Sequence, residues 1–290
     1  MAEIDPRKMA LQIAGLRANE IHLPENERVF QDPYAEHIFP DEVRKLFQSS
    51  AQVKAELDKY ERMMPGVNGA IVARIKFFDD KLTDLMAHGL KLLVIIGAGY
   101  DTKSYRIRCV EENLKVFEVD HPVTQAVKIE KVKEIFHALP AHVIYVPFVF
   151  GESSLAENHT EQGYNQKIKT LFIIEGLLMY IPPSAAKGLL SFTAEASGPE
   201  IAMVADYFDT TVVESSSPLT EAKVLRQFVE SEGASLKFGI EPGKGEAFFK
   251  QFGFRQVHCA PAPAYKDRFF KNESSKRTVS PMFNFVFATK

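Results

Sequence analysis

Two glycines, two acids close to them and a third acid further along carry the first chemical information in this chain. Gly97-Ala98-Gly99-Tyr100-Asp101-Thr102 follows the apolar run Leu92-Leu93-Val94-Ile95-Ile96. The next apolar-rich stretch, 114–119, ends in Asp120. Glycines at 97 and 99 let the backbone turn sharply and approach a ligand with no Cβ in the way. An acid that closes the following strand, about twenty residues past such a turn, is where nucleoside-binding α/β folds hold the two ribose hydroxyls. The competing role for Asp120 is to cap the next helix through backbone N–H groups. Glu175 ends another apolar run, 171–174, where a bare carboxylate is costly to desolvate without a partner.

The spacing also says which nucleotide is a poor match. A dinucleotide site prefers Gly-x-Gly-x-x-Gly, whereas Thr102 stands at the third glycine position. Asp101 places negative charge where a pyrophosphate would lie. Both features count against a nicotinamide-dependent oxidoreductase. The same acid is acceptable beside a cationic or zwitterionic ligand. S-adenosylmethionine answers that description: an adenosine with a sulfonium, an ammonium and a carboxylate, and no phosphate.

The elements that must position these residues follow from the patterning. The Val- and Ile-rich run at 91–96 reads as a central parallel strand buried on both faces. Further strands are expected at 115–119, 142–147, 171–174 and 201–206, separated by helices that start near 102 and cover 123–139 and 185–195. Alternation of this kind implies right-handed crossovers and a doubly wound, mostly parallel α/β sheet. The segment 208–244, rich in Ser, Glu and Lys, breaks the rhythm and is expected to be a cap over the strand ends. A helix at 245–252 and strands at 254–260 and 280–288 complete the pattern, the last pair forming an antiparallel hairpin at the sheet edge. Upstream, helical spacing at 9–20, 41–61 and 69–88 predicts an N-terminal helical lid over residues 1–88, packed on a core of 89–290 in one compact domain.

Composition narrows the class. Apolar residues make up 46% and charged residues 25%, ordinary for a globular protein. A net charge of -3 gives no electrostatic reason to expect nucleic acid or an anionic membrane as partner. Cys109 and Cys259 cannot build a disulfide framework and suit a reducing cytoplasm. Residues 1–9 carry charges of both signs and no apolar stretch of signal-peptide type. No run approaches the roughly 20 apolar residues of a membrane span. No metal-ligand cluster is expected.

Five blocks in order resemble the leucine carboxyl methyltransferase superfamily, especially its bacterial S-adenosylmethionine-dependent branch. They are Ala14-Gly15-Leu16-Arg17-Ala18-Asn19-Glu20 with Asp32-Pro33-Tyr34-Ala35; Ala73-Arg74-Ile75-Lys76-Phe77-Phe78-Asp79-Asp80; the glycine loop with Tyr105-Arg106; Phe117-Glu118-Val119-Asp120-His121-Pro122; and Glu175-Gly176-Leu177-Leu178-Met179-Tyr180-Ile181-Pro182-Pro183. The resemblance implies a Rossmann-like class I methyltransferase. It implies that Arg17 and Arg74 hold the cofactor's carboxylate, a task that suits a guanidinium fork. It also implies that Glu175 lies near the methionine end. One departure stands out: in the family an acid follows strand three in a Val-Pro-x-Asp-type block and contacts the adenine, whereas Val149 occupies that place here. The expectation is that either Glu152 or a backbone group reaches the adenine instead, or that adenine binding is weaker.

For the transfer itself, His121, Tyr180, Asp206 and Tyr207 stand at strand ends and are candidate bases for a hydroxyl acceptor. A carboxylate acceptor is ionised at neutral pH and needs none. The expectation is therefore an O-methyltransferase acting on a carboxylate or hydroxyl of a small molecule. The superfamily allows a protein C-terminus as acceptor, but nothing in the sequence marks a peptide groove. A non-catalytic cofactor-binding scaffold is the alternative from a different class. Charges at 128–134, and Arg106 and Arg108 with Glu111 and Glu112, read as solvated helix faces.

Overall fold

The computed structural model describes residues 7–39, 50–107, 114–150, 168–195 and 201–290. Helices dominate the first part: α1 (Arg7–His22), α2 (Ser50–Met63) and α3 (Val67–Ala87). The break before α3 falls at Gly66, whose φ of 75° is left-handed. A Cβ there would come within 2.6 Å of the Ser280 backbone nitrogen, so glycine is required for the turn and for the close approach.

The strands then alternate with helices: β1 (Leu92–Ile96), α4 (Lys103–Arg106), β2 (Lys115–Asp120), α5 (Pro122–Phe136), β3 (Val143–Pro147), β4 (Thr170–Ile174), α6 (Pro183–Glu195) and β5 (Ile201–Phe208). Two short helices follow, α7 (Thr210–Val213) and α8 (Thr220–Ser231), within the stretch expected to form a cap. Next come α9 (Gly245–Lys250), β6 (Gln256–Pro261), α10 (Lys266–Phe269) and β7 (Phe283–Thr289).

Seven strands form one sheet in the order β3-β2-β1-β4-β5-β7-β6, the first five parallel. The antiparallel C-terminal strand is present, paired with both β5 and β6. It lies one place inside the edge, however, and β6 is the edge strand. Hairpin signals in a sequence report which strands are neighbours but not which of the pair meets the rest of the sheet.

Alternation along each strand feeds two cores. Leu93, Ile95, Leu171, Ile173, Ala202 and Val204 pack against α1, α3, α5 and α8 on one face. Val94, Ile96, Phe172, Ile174, Met203 and Ala205 pack against α6 and α9 on the other. Direction of the parallel strands brings Gly97, Asp120 and Glu175, just past or at the ends of β1, β2 and β4, to the same edge of the sheet. There the strand order reverses about β1, the place where open α/β sheets form ligand crevices.

Candidate active site

A cavity of about 310 Å³ opens at this edge. Its floor is the glycine turn, where Gly97 has φ 74° and Gly99 φ 46°. Asp120 sits beside that turn: one carboxylate oxygen accepts from the Gly99 backbone N–H, and the other accepts from His121 N–H at 2.5 Å. Burial pushes the Asp120 carboxyl above its ordinary value, opposed by these two N–H donors. The arrangement leaves the carboxylate at the cavity wall, ordered by backbone and able to accept further donors.

From Asp120 the cavity runs two ways. On the β3 side it is lined by Phe148, Val149, Phe150 and Thr124. The Phe148 and Phe150 rings meet edge-to-face at 5.0 Å, and Phe148 N–H bonds the Asp120 carbonyl at 2.8 Å. On the β4 side it is lined by Arg17, Arg74, Asp101, Glu175 and Tyr180, with Glu232 and Ala234 reaching in from the end of α8.

The β4 side rests on a buried ionic network. Lys103, 0% exposed, bonds Asp101 at 2.9 Å and Glu175 at 2.5 Å. Arg74 on α3 reaches Glu175 at 3.3 Å and Asp206 at 3.0 Å. Asp206 in turn accepts from Gly176 N–H at 2.6 Å. Arg17 on α1 pairs with Asp32 at 3.2 Å and donates to the Tyr100 carbonyl. Arg106 clasps Asp79 through both terminal nitrogens, at 2.7 and 2.8 Å, and lies 3.4 Å from Asp32. Burial raises the Asp101 carboxyl, but Lys103, Arg17 and Arg106 outweigh it and hold the group well below the ordinary carboxylate range. Glu175 follows the same pattern: burial opposes ionisation, and Lys103 with Arg74 brings its value down. Asp101 and Glu175 therefore face the cavity as anions that share one ammonium, a setting that favours a further cation between them.

The residues present fit an S-adenosyl cofactor on the structure's own terms. Two anions and two arginines at one end match a group bearing both ammonium and carboxylate. A backbone-held carboxylate in the middle matches a ribose diol. At the other end the buried Thr124 hydroxyl has no hydrogen-bond partner among the described residues, amid apolar side chains that suit a planar base.

The leucine carboxyl methyltransferase family matches residues 10–194. The chain belongs to that family. All five blocks read from the sequence, from Ala14 to Pro183, fall within the match. A Bacillus subtilis protein named "Putative S-adenosyl-L-methionine-dependent methyltransferase YktD" is 26% identical over 219 residues, 76% of this chain and 72% of that protein. A similarly named Mycobacterium ulcerans protein is 30% identical over 142 residues, and the match spans 47% of its length. The crystal structure of a methyltransferase, titled putative, from Thermobifida fusca superposes with a TM-score of 0.62 at 15% identity, covering 94% of this chain and 97% of that one. As a leucine carboxyl methyltransferase family member the chain is an S-adenosylmethionine-dependent methyltransferase.

Within this family member the cavity gathers Arg17, Arg74, Gly97, Gly99, Asp101, Asp120, Glu175, Tyr180 and His121. Glu152 lies outside the described residues, as do Cys109, Arg108, Glu111 and Glu112. Tyr207 is not brought to the cavity. It alternates with Asp206 on β5 and so faces the opposite core, where its ring lies 5.8 Å from that of Phe249. Asp206 is fully buried behind Arg74 and supports the site without lining it.

Two readings of charge are corrected. The Arg106 side chain is only 5% exposed and holds Asp79, and Lys128 is 1% exposed and forms an ion pair with Glu118 at 2.7 Å. Neither belongs to a solvated helix face. Lys103, Asp32 and Asp79 were given no role by sequence reasoning. The usable signal was their position: Lys103 follows the glycine loop directly, and Asp32 and Asp79 sit inside family blocks. No group of three or more metal-ligating side chains occurs among the described residues, and no helix there is long and apolar enough to cross a membrane.

Proposed function

We propose that the chain transfers the methyl group of S-adenosylmethionine to an oxygen of a small molecule, with a carboxylate as the acceptor group. The cofactor supplies an activated methyl on a sulfonium. What remains for the protein is to fix the donor, align the acceptor and exclude water. Asp120 is suited to hold the ribose, Asp101 and Glu175 the ammonium, and Arg17 and Arg74 the carboxylate.

The observation that carries the choice of acceptor is the state of the candidate bases. Burial pushes the Tyr180 phenol up to about 12, so at neutral pH it is a hydrogen-bond donor and not a base. His121 belongs to the β2 end, two strands and about 10 Å from the β4 end where Glu175 lies. Its ring nitrogen Nδ1 accepts from Val123 N–H at 3.3 Å, capping α5. Tyr207 faces away. Asp206 is bound by Arg74 and Gly176. An acceptor that arrives already ionised needs none of them. Tyr180, which lines the β4 side of the cavity, is then suited to donate to an acceptor carboxylate and orient it. The small number of cysteines supports a cytoplasmic setting.

The test is transfer of labelled methyl from S-adenosylmethionine to a panel of small carboxylic acids and alcohols, measured against pH. A carboxylate acceptor predicts turnover of acids and a rate flat from about pH 6.5 to 8.5. Turnover of alcohols with a single-proton rise across that range would replace the carboxylate reading with a base-assisted one.

A further inference from the structure

The β3 end of the cavity presents a problem that the ionic end does not. Its lining at Phe148, Val149 and Phe150 is apolar, whereas a nucleobase carries polar atoms around its edge. The Thr124 side chain is 1% exposed, lines this end of the cavity, and its hydroxyl has no hydrogen-bond partner among the described residues. Buried hydroxyls are ordinarily satisfied, so an orphan on a residue that lines a ligand cavity points to a contact for the ligand to complete. The other polar side chains nearby are already engaged. Asp120 accepts two backbone N–H groups, and the His121 ring caps α5. Thr124 stands in the first turn of the same helix, after Pro122, so its backbone position is fixed by the helix start.

We propose that the Thr124 hydroxyl is the group that meets the polar edge of the cofactor's nucleobase and makes the site tolerant of the group at the base's 6-position. The inference rests on the cofactor reading given above. A hydroxyl carries one donor and two acceptor sites and rotates to suit its partner. It accepts from the 6-amino group of adenine and donates equally well to a 6-oxo group. A carboxylate in the same place could only accept. The site is therefore tolerant of a 6-oxo purine, unlike one that reads the base with an acid.

Calorimetry of the full chain with S-adenosylhomocysteine and S-inosylhomocysteine tests this, using wild type, Thr124→Val and Thr124→Ser. Wild type is expected to bind the two ligands within tenfold of each other. Thr124→Val, which keeps shape and removes the hydroxyl, is expected to weaken S-adenosylhomocysteine by fivefold or more. Thr124→Ser, which keeps the hydroxyl, stays within threefold of wild type. A wild-type preference beyond tenfold overturns the proposal, because the base is then read by a group of fixed donor or acceptor sense. So does a Val variant within fivefold of wild type, or a Ser variant as weak as Val, which would point to packing alone. Absence of wild-type binding to S-adenosylhomocysteine would bring down the cofactor reading itself, and this inference with it, and is distinct from the other results.

Discussion

The two ends of the cavity are built on opposite principles. At the β4 end, Asp101, Glu175, Arg17 and Arg74 are held by partners from α1, α3, α4 and β5, so each charge is compensated before a ligand arrives. At the β3 end three apolar side chains and one hydroxyl form the wall, with no charged side chain among the described residues that line it. The ionic end is preorganised: its desolvation and ordering costs belong to folding, and little rearrangement is left for binding. The apolar end contributes area burial and one adaptable contact. Damage at the first should therefore register in stability as well as affinity, and damage at the second in affinity and selectivity alone.

The sharpest way to break this contrast is Lys103→Met. Removing the shared cation leaves Asp101 and Glu175 buried side by side, and breaking a buried pair costs roughly 3 to 5 kcal/mol. Scanning calorimetry should show the melting temperature falling by about 6 to 15 °C. A fall under about 2 °C would mean that the network is not a source of stability. Next in size is Asp120→Asn, at the junction of the two ends. Loss of a charged acceptor for the ribose is worth on the order of 1.5 to 3 kcal/mol, or about 10- to 150-fold in S-adenosylhomocysteine affinity by titration calorimetry, with a melting temperature close to wild type.

Acid separates the two properties further. Asp79, Asp120 and Asp206 all sit above the ordinary 3.8, burial being the first cause in each. The native state takes up their protons before the unfolded chain does. Their contribution to stability is full below 3.8 and is lost as pH rises through the raised native values. Asp101 and Glu175 are displaced the other way, so their contribution persists above the ordinary values and fades only as pH falls through the lowered ones. As pH falls from neutrality toward the raised Asp120 value, ligand affinity should decline, while the melting temperature of the free protein does not decline in step. Parallel loss of both would contradict the assignment. The smallest effect is expected at Tyr207→Phe. It removes a hydroxyl held against Cys259 on the far face of the sheet, and methyl transfer should stay within about twofold of wild type. A larger loss would place the second core in the reaction.

Much of the cofactor side was legible because it depends on local signals. An apolar run closed by a glycine turn, and an acid closing the next strand, are each contained in a few residues, and the fold supplies the rest by aligning parallel strand ends. The ionic network was not legible in the same way. Arg106 finds Asp79 and Asp32, and Lys128 finds Glu118, across spans that no spacing rule connects. In one sequence a charge near polar neighbours looks solvated, because water is the default partner. Tyr207 could have been set aside earlier: alternation on β5 gives it the face opposite to Asp206, so the two cannot serve one site. The position of β7 inside the edge could not be read, since hairpin pairing is symmetric until a third strand is known.

That position of β7 also governs how the sheet is completed during synthesis. Ala202 of β5 pairs with Thr289 of β7, and Phe208 with Phe283. When β5 leaves the ribosome its outer row of N–H and C=O groups has no partner. It stays open through translation of the α7–α8 segment, α9, β6 and α10. An unpaired strand edge flanked by two unfinished cores invites the wrong partner, including the same edge of another nascent chain. Because β6 joins the sheet only through β7, the whole β6–β7 ribbon must dock as a late unit. The vulnerable interval in the life of this protein is therefore set by the distance along the chain from β5 to β7, and not by the cofactor site that the finished sheet supports.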